Sequence, residues 1–280
     1  MSMTESPRSQ FFGQSAEEVA QTYLAWYRRL RLRFVIAAVA LGAAALAGLF
    51  VLDSLPIYLV CLGAIICLGI RSRLRVNQEF RPLIGIINID CDVAKWRHVI
   101  EQIRERSTWR RRSRALCDCY LALADVEDAR PADALRRMAS LDFGRNSILN
   151  VMLYQNRAVC AHDLGDATLL DDSLAALREL AGRYRAGSKR RALAEERLAD
   201  LALSLKPRAS WDATDAARAE ERRAAAESHR SAVSWTLLLA EYELESGCPD
   251  AALELTDEKN LAPLTPRAAA RRKVLLARLS

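Results

Sequence analysis

The three histidines are the side chains that would first suggest catalysis, because imidazole can act as a general base or as a metal ligand near neutral pH. His98, His162 and His229 each lie within or at the end of a segment with helical periodicity. None belongs to a nucleophile or metal motif, and the sequence has no phosphate-binding glycine loop and no nucleophile elbow. Neighbouring acids at 171–172 and 195–196 lie on arginine-rich helices, where solvated ion pairs explain them. We therefore predict no enzyme, no catalytic residue and no small-molecule substrate.

The seven cysteines are scattered, with no pattern of a disulfide framework or of a metal site. Cys117 and Cys119 lie two positions apart on a predicted helix, so their side chains point about 200° apart at ~100° per residue. Asp90 and Asp92 flank Cys91, and we interpret Asp92 as a helix cap rather than a metal ligand. The sequence predicts reduced thiols, no metal and no cofactor.

Two apolar runs near the N-terminus dominate the architecture. Residues 34–52 and 55–70 carry no charge, and a helix needs ~20 apolar residues to cross a hydrocarbon core. Only Asp53 and Ser54 separate the runs, so we predict a two-helix transmembrane hairpin within residues 15–78. The second run is short and would span with help from flanking arginines. Small residues at 40, 44 and 48, and at 63 and 67, would let the helices approach closely, although Ala-rich composition alone also gives this spacing.

The flanks of the hairpin predict its orientation. Arginines precede the first run and follow the second, whereas the turn has no Lys or Arg. Positive flanks remain in the cytoplasm, so we expect an integral membrane protein with both termini cytoplasmic. The predicted membrane-interface residues are Trp26, Tyr27, Arg28, Arg29, Arg71 and Arg73.

The segment before the first run contains a tail and an amphipathic helix. Residues 1–14 are polar and are predicted to be a loose tail. Ser15 and Glu18 form a capping-box pattern, after which Tyr23 and Trp26 share one helical face. This face either anchors at the headgroups or docks onto the soluble domain, and the sequence leaves both readings open.

The charge of the soluble part is nearly balanced. Residues 1–81 hold 9 Arg and 5 acids, while residues 82–280 hold 32 Lys or Arg and 30 acids. This balance makes a nucleic-acid partner unlikely. One basic cluster, residues 95–114, could face anionic lipid or nucleic acid, or could simply be a solvated helix face.

Residues 79–280 show helical periodicity throughout, with no convincing strand, and the helices follow one another in pairs. The segment 129–135 (ARPADAL) aligns with 247–253 (GCPDAAL), and 154–166 has the pattern of a first helix and its turn. These pairs resemble tetratricopeptide (TPR) repeats, with an irregular period and an incomplete pattern in every unit. The resemblance implies an all-α fold, in which the hairpin is followed by a TPR-like α-solenoid with a concave surface for a protein partner.

The function predicted on this basis is a membrane-anchored cytoplasmic scaffold that binds a protein or peptide. Its first helices carry four candidate partner-binding residues, Tyr154, Arg157, Trp235 and Glu241, whose types are common in binding hot spots or would offer charge. Tyr154 and Trp235 could equally be core residues. The alternative function is a membrane-tethered regulator that binds nucleic acid or anionic lipid through residues 95–114.

Overall fold

The computed structural model describes the backbone of residues 8–107 and 111–280, with the side chains of 107, 111 and 112 left aside. Within these ranges all regular structure is helical, which confirms the predicted all-α class. Short 3₁₀ turns cover Arg81–Ile84 and Arg208–Ser210. The helices are α1 (Ala16–Phe50), α2 (Leu55–Phe80), α3 (Gly85–Asn88), α4 (Val93–Ser107), α5 (Arg111–Glu127), α6 (Pro131–Met138), α7 (Leu149–Leu164), α8 (Ala167–Arg183), α9 (Lys189–Leu205), α10 (Ala213–Ala224), α11 (His229–Glu245), α12 (Pro249–Leu255), α13 (Glu258–Leu261) and α14 (Pro266–Leu279).

The helices α1 and α2 pack antiparallel along the apolar runs. Gly48 makes this approach possible, because a Cβ on it would lie 2.7 Å from Cγ2 of Ile57. The other small residues predicted to line the contact do not do so, since Ala40, Ala44, Gly63 and Cys67 are exposed. Ala45 and Cys61 are buried instead. A strict four-residue spacing drifts off a helix face that repeats every 3.6 residues, so only one member of the first stripe reaches the partner.

The N-terminal end of α1 belongs to the core of the following domain. Ser15 and Glu18 form the predicted capping box, and Val19 and Tyr23 are buried against α4. Phe80, at the end of α2, lies 6.0 Å from Tyr23 between ring centroids. Phe80 in turn contacts Tyr120 on α5, with centroids 5.3 Å apart. The amphipathic segment therefore docks onto the domain, the second of the two readings left open by the sequence.

Residues 8–14 also lie against the domain, in contrast to the loose tail predicted for 1–14. The Ser9 backbone N–H donates to Asp90 Oδ1 at 2.8 Å, and Lys95 Nζ donates to the Phe11 carbonyl at 2.6 Å. The Phe11 ring packs on the apolar core that α1, α3, α4 and α5 share, which we call the first core cluster. Polar composition did not reveal these contacts, because they pair residues more than 80 positions apart.

Successive helices pack as antiparallel neighbours from α4 through α9 and from α10 through α12. The turns after α5 and α11 share one backbone geometry. Ala129 and Gly247 have φ of +56° and +82°, and Arg130 and Cys248 follow at φ −116°, ψ 64° and φ −110°, ψ 67°. Pro131 and Pro249 then begin the next helix, and the small residues three positions on, 134 and 252, are fully buried. The aligned segments 129–135 and 247–253 thus form the same local structure.

The last helices return to the first ones. The α11 helix contacts α3, and α14 contacts α5. Arg230 donates to Asn88 Oδ1 at 3.1 Å and pairs with Glu127, a buried acid that also accepts from Thr265 Oγ1 at 2.9 Å. These contacts close the helical domain on itself, which an open array of stacked pairs would not do.

Candidate functional site

The predicted partner-binding residues Tyr154 and Arg157 lie one turn apart on α7. Tyr154 is half-buried and packs its ring against the core formed by α7, α8 and α9. Arg157 is half-buried too, and no acid among the described residues pairs with it. The Arg157 guanidinium therefore has no carboxylate partner in the part of the chain that the structure describes.

The other two predicted residues, Trp235 and Glu241, lie on α11 and are engaged within the chain. Trp235 is only 8 % exposed and packs with Trp211 and Leu239. Glu241 accepts both Nε (2.6 Å) and Nη2 (2.5 Å) of Arg271 on α14. The structure therefore joins Tyr154 and Arg157 on one surface and does not bring Trp235 and Glu241 to it.

The C-terminal helix α14 covers the face of α11 on which Glu241 lies. Besides Arg271, it contributes Arg278, which donates to Glu245 at 2.6 Å, and Arg267, which reaches Asp163 at the end of α7 at 2.7 Å. Leu275 is its one fully buried side chain among the described residues. The helix α14 is thus held to α11 by an apolar cluster that includes Leu275, with arginines facing acids of α7 and α11 around it.

An open cleft of about 560 Å³ lies between α4, α5 and α6, and the sequence reasoning missed it. At its base Asp125, 1 % exposed, accepts Arg97 Nη1 at 2.6 Å and Arg137 Nε at 2.9 Å, with Arg130 Nη2 at 3.3 Å. Burial lowers the pKa of Arg97, but hydrogen bonds to Asp125 and Asp128 outweigh it and raise that pKa. The only sequence signal was an acid on the inward face of α5, four residues after the buried Leu121.

The described part of the basic cluster 95–114 is largely neutralised by the protein. Arg97 pairs with Asp125 and Asp128, and Arg104 donates to Asp118 at 2.6 Å. Arg106 lies 3.8 Å from Glu17 on α1. The side chains of 107–112 lie outside the described residues. What is described of the cluster resembles a solvated, ion-paired helix face more than a free cationic patch.

The membrane-interface residues fall into two groups. Trp26 and Tyr27 are half-buried; Trp26 packs on the first core cluster, and Tyr27 stacks on Tyr23 with centroids 6.4 Å apart. Arg28 and Arg29 on α1, like Arg71 and Arg73 on α2, are exposed. The aromatic pair thus belongs to the docking surface, and the arginines lie beyond it toward the apolar runs.

Two of the histidines lie within hydrogen-bonding distance of protein groups, and the two cysteines of α5 are buried. His229 Nε2 lies 2.9 Å from the Pro263 carbonyl, and His98 lies 3.4 Å from Glu17. Burial, helped by the nearby Asp118 carboxylate, raises the pKa of Cys117 and of Cys119 to about 12. No group of three His, Cys, Asp or Glu able to hold a metal occurs in the part of the chain that the structure describes.

Two helical stretches, α1 and Leu55–Asn88, are long and apolar enough to cross a membrane by length and composition. Little of either apolar stretch is buried within the protein. Comparison of the chain with protein-family models, with curated proteins and with solved structures gives no match. The arguments about function therefore rest on the chain's own residues.

Proposed function

We propose that this protein is a membrane-anchored scaffold whose helical domain binds a protein or peptide at the cytoplasmic membrane surface. The observation that carries the proposal is the shared core of the hairpin and the domain. Tyr23 and Phe80, at the ends of α1 and α2, join Trp96 and Tyr120 in one cluster of ring contacts. A domain held by both helices has a fixed orientation relative to the bilayer, which confines a partner there and raises its effective concentration.

Insertion as a hairpin, with both ends cytoplasmic, is supported by the apolar surface and the charges. Val39, Phe50 and Val60 are 66 %, 78 % and 72 % exposed, a large apolar area that lipid would cover and water would not. The turn at Asp53 has no basic residue, whereas arginines occupy the opposite end of the helix pair.

The TPR-like character of the domain is supported by the repeated turn geometry at 129–131 and 247–249. Gly165, at φ +70°, ends α7 in the same left-handed conformation. Two features differ from a regular array: the helices vary widely in length, and α14 returns to α5. We propose a degenerate repeat domain whose inner face is partly filled by its own last helix.

The proposed partner surface is the half-buried side of α7 around Tyr154 and Arg157. Tyr154 offers an aromatic surface with a hydroxyl, and Arg157 offers a cation that no described acid neutralises. A peptide with an acidic residue beside an apolar one would match this pair, since aromatic and Arg side chains are enriched among hot spots.

Membrane insertion is tested by alkaline carbonate extraction and by protease protection. The protein should remain in the membrane pellet at alkaline pH, and protease added outside intact cells should leave residues 82–280 uncut. Extraction by carbonate would contradict the hairpin, and cleavage from outside would contradict the orientation.

The partner surface is tested by replacing Tyr154 with a photo-crosslinking amino acid in the full-length protein in cells. We expect a discrete adduct that disappears when Arg157→Glu is added. The matched control carries the same crosslinker at Arg178, an exposed position on α8. Equal adducts from both positions, or an adduct insensitive to Arg157→Glu, would show that α7 is not the binding surface.

A further inference from the structure

Seven arginines form one thin layer around the helix pair α1–α2. The contacts between these helices fix their antiparallel register: Tyr23 meets Phe80, and Phe34 meets Gly69. In both contacts the residue numbers add to the same value, so residues 28–33 of α1 lie level with residues 70–75 of α2. The arginine layer therefore consists of Arg28, Arg29, Arg31, Arg33, Arg71, Arg73 and Arg75.

The arginine layer has the thickness and position of a lipid headgroup region. From Arg28 to Arg33, five residues along α1, the layer spans about 7.5 Å at ~1.5 Å per residue. The headgroup region of one leaflet is about 5–8 Å thick, given a core of ~30 Å and a bilayer of ~40–45 Å. The layer begins where the uncharged runs end, at Phe34 and Ile70, and it stops about one and a half turns before the Tyr23–Phe80 contact with the domain.

The two helix segments that carry the layer, 28–33 and 71–75, contain no acid. All seven arginines are exposed, and the sequence has no acid between Val19 and Leu52 or between Leu55 and Gln78. Apart from Arg31, the layer's arginines have no ion pair with an acid among the described residues. The basic residues of α4 differ, since Arg97, Arg104 and Arg106 each pair with a carboxylate.

Exposed apolar side chains are interleaved with these charges. Leu32 is 61 % exposed and Leu74 is 57 % exposed, and both lie level with the arginines. Such a mixture of leucine side chains and guanidinium groups suits the boundary between acyl chains and phosphates, where an arginine stem lies in an apolar environment and its head group in a polar one.

From these observations we infer that the arginine layer is a binding site for acidic phospholipids, with guanidinium groups holding the phosphates of headgroups that carry no cation of their own. Guanidinium binds phosphate through two parallel hydrogen bonds, which ammonium does not reproduce. A zwitterionic headgroup adds a positive charge to an already crowded cationic layer, so it binds more weakly. This inference rests on the proposed membrane insertion.

The test uses the full-length protein in vesicles of equimolar phosphatidylglycerol and phosphatidylcholine. After gentle detergent extraction, native mass spectrometry counts the lipids that remain bound. We expect phosphatidylglycerol to exceed phosphatidylcholine by at least about threefold, since basic residues near a membrane surface attract anionic headgroups. The variant R28Q/R29Q/R33Q should lower the ratio to about that of the vesicles.

The matched control is R185Q/R190Q/R218Q, which removes three exposed arginines from the domain and should keep the wild-type ratio. A second variant, R71Q/R73Q/R75Q, tests the other helix of the same layer and should also lose the enrichment. Carbonate-resistant association with the vesicles reports insertion separately from lipid choice. Inserted wild-type protein with no phosphatidylglycerol enrichment, or glutamine variants that retain it, would overturn the inference.

Discussion

Asp125 should be among the most sensitive positions of the helical domain, because one buried carboxylate holds three guanidinium groups. The Asp125→Ala substitution leaves Arg97, whose side chain is 19 % exposed, with only Asp128 as a partner. It also removes the acidic partner of Arg137, at 31 % exposure, and one of the three acids near Arg130, at 47 % exposure, which keeps Asp128 and Asp133.

The expected cost can be worked from these contacts. A hydrogen bond to a charged group contributes about 1.5–3 kcal/mol, which applies to the buried Arg97 contact. The exposed pairs with Arg137 and Arg130 are screened by solvent and add about 0–1 kcal/mol each. We therefore expect Asp125→Ala to lower the free energy of unfolding by roughly 1.5–5 kcal/mol. At about 2–4 °C per kcal/mol for a domain of this size, the melting temperature should fall by roughly 3–20 °C.

The measurement is thermal unfolding of the full-length protein in detergent micelles, followed by circular dichroism. Asp133→Ala is the matched control, since its pairs with Arg136 and Arg130 lie at the surface and should change the melting temperature by less than about 3 °C. An Asp125→Ala variant that melts within 2 °C of the control would refute the idea that the buried carboxylate organises α4, α5 and α6.

Three further outcomes follow from contacts described above. Tyr23→Ala should destabilise the domain by about 3–5 kcal/mol, because its ring is buried between α1, α2 and α4. The control Tyr27→Ala should cost less than half of this, and equal melting temperatures for the two variants would contradict the shared core. Gly247→Ala should lower the free energy of unfolding in urea by about 1 kcal/mol. The added Cβ meets no atom within 4 Å, so the cost comes from the backbone, whose φ is +82°. An unchanged urea midpoint would contradict the turn geometry. Burial raises the pKa of Cys117 to about 12, so at pH 8 a maleimide should modify the exposed Cys248 and reach Cys117 only after unfolding. Peptide mass spectrometry that finds Cys117 rapidly labelled in native protein would contradict this.

Local patterns predicted the elements well. Helical periodicity predicts helices over 93–106, 111–126, 167–184 and 189–205. In the structure α9 has its predicted bounds, and α4, α5 and α8 differ from theirs by one residue. Residues 249–258 are predicted as one further helix. The structure has two short helices there instead, because Thr256 Oγ1 donates back to the carbonyls of Ala252 and Leu253 and Asp257 caps a new turn. Side chains that compete for backbone hydrogen bonds are poorly captured by hydrophobic periodicity.

The environment of each helix was less predictable than its bounds. An amphipathic aromatic face, as at Tyr23 and Trp26, is equally suited to headgroups and to a protein core, so only the tertiary contacts decided between them. The candidate site had the same difficulty: Trp235 and Tyr154 each lie on a helix beside apolar residues, yet one is core and the other half-buried. The partners of Glu127 and Asp125 come from distant segments and leave no local signal.

The closure between α5 and α14 has a consequence for the order of events during synthesis. Glu127 meets Thr265 across 138 residues and Arg230 across 103, so the domain cannot complete these contacts until Thr265 has been made. At ~5–20 residues per second, roughly 10–40 s separate the synthesis of Phe80 from that of Thr265. If the hairpin inserts as proposed, it has this interval to enter the bilayer before the domain that docks on it is complete.

In an open repeat array, terminal units fray independently of the middle. Here the ends of the domain hold each other, and α1 and α2 contribute to the same core as α4 and α5. Unfolding should consequently involve the domain as a single cooperative unit, and a fragment cut after the hairpin would lose Tyr23 and Phe80 from its core. The helices α1 and α2 are therefore part of the domain's core as well as of the apolar hairpin.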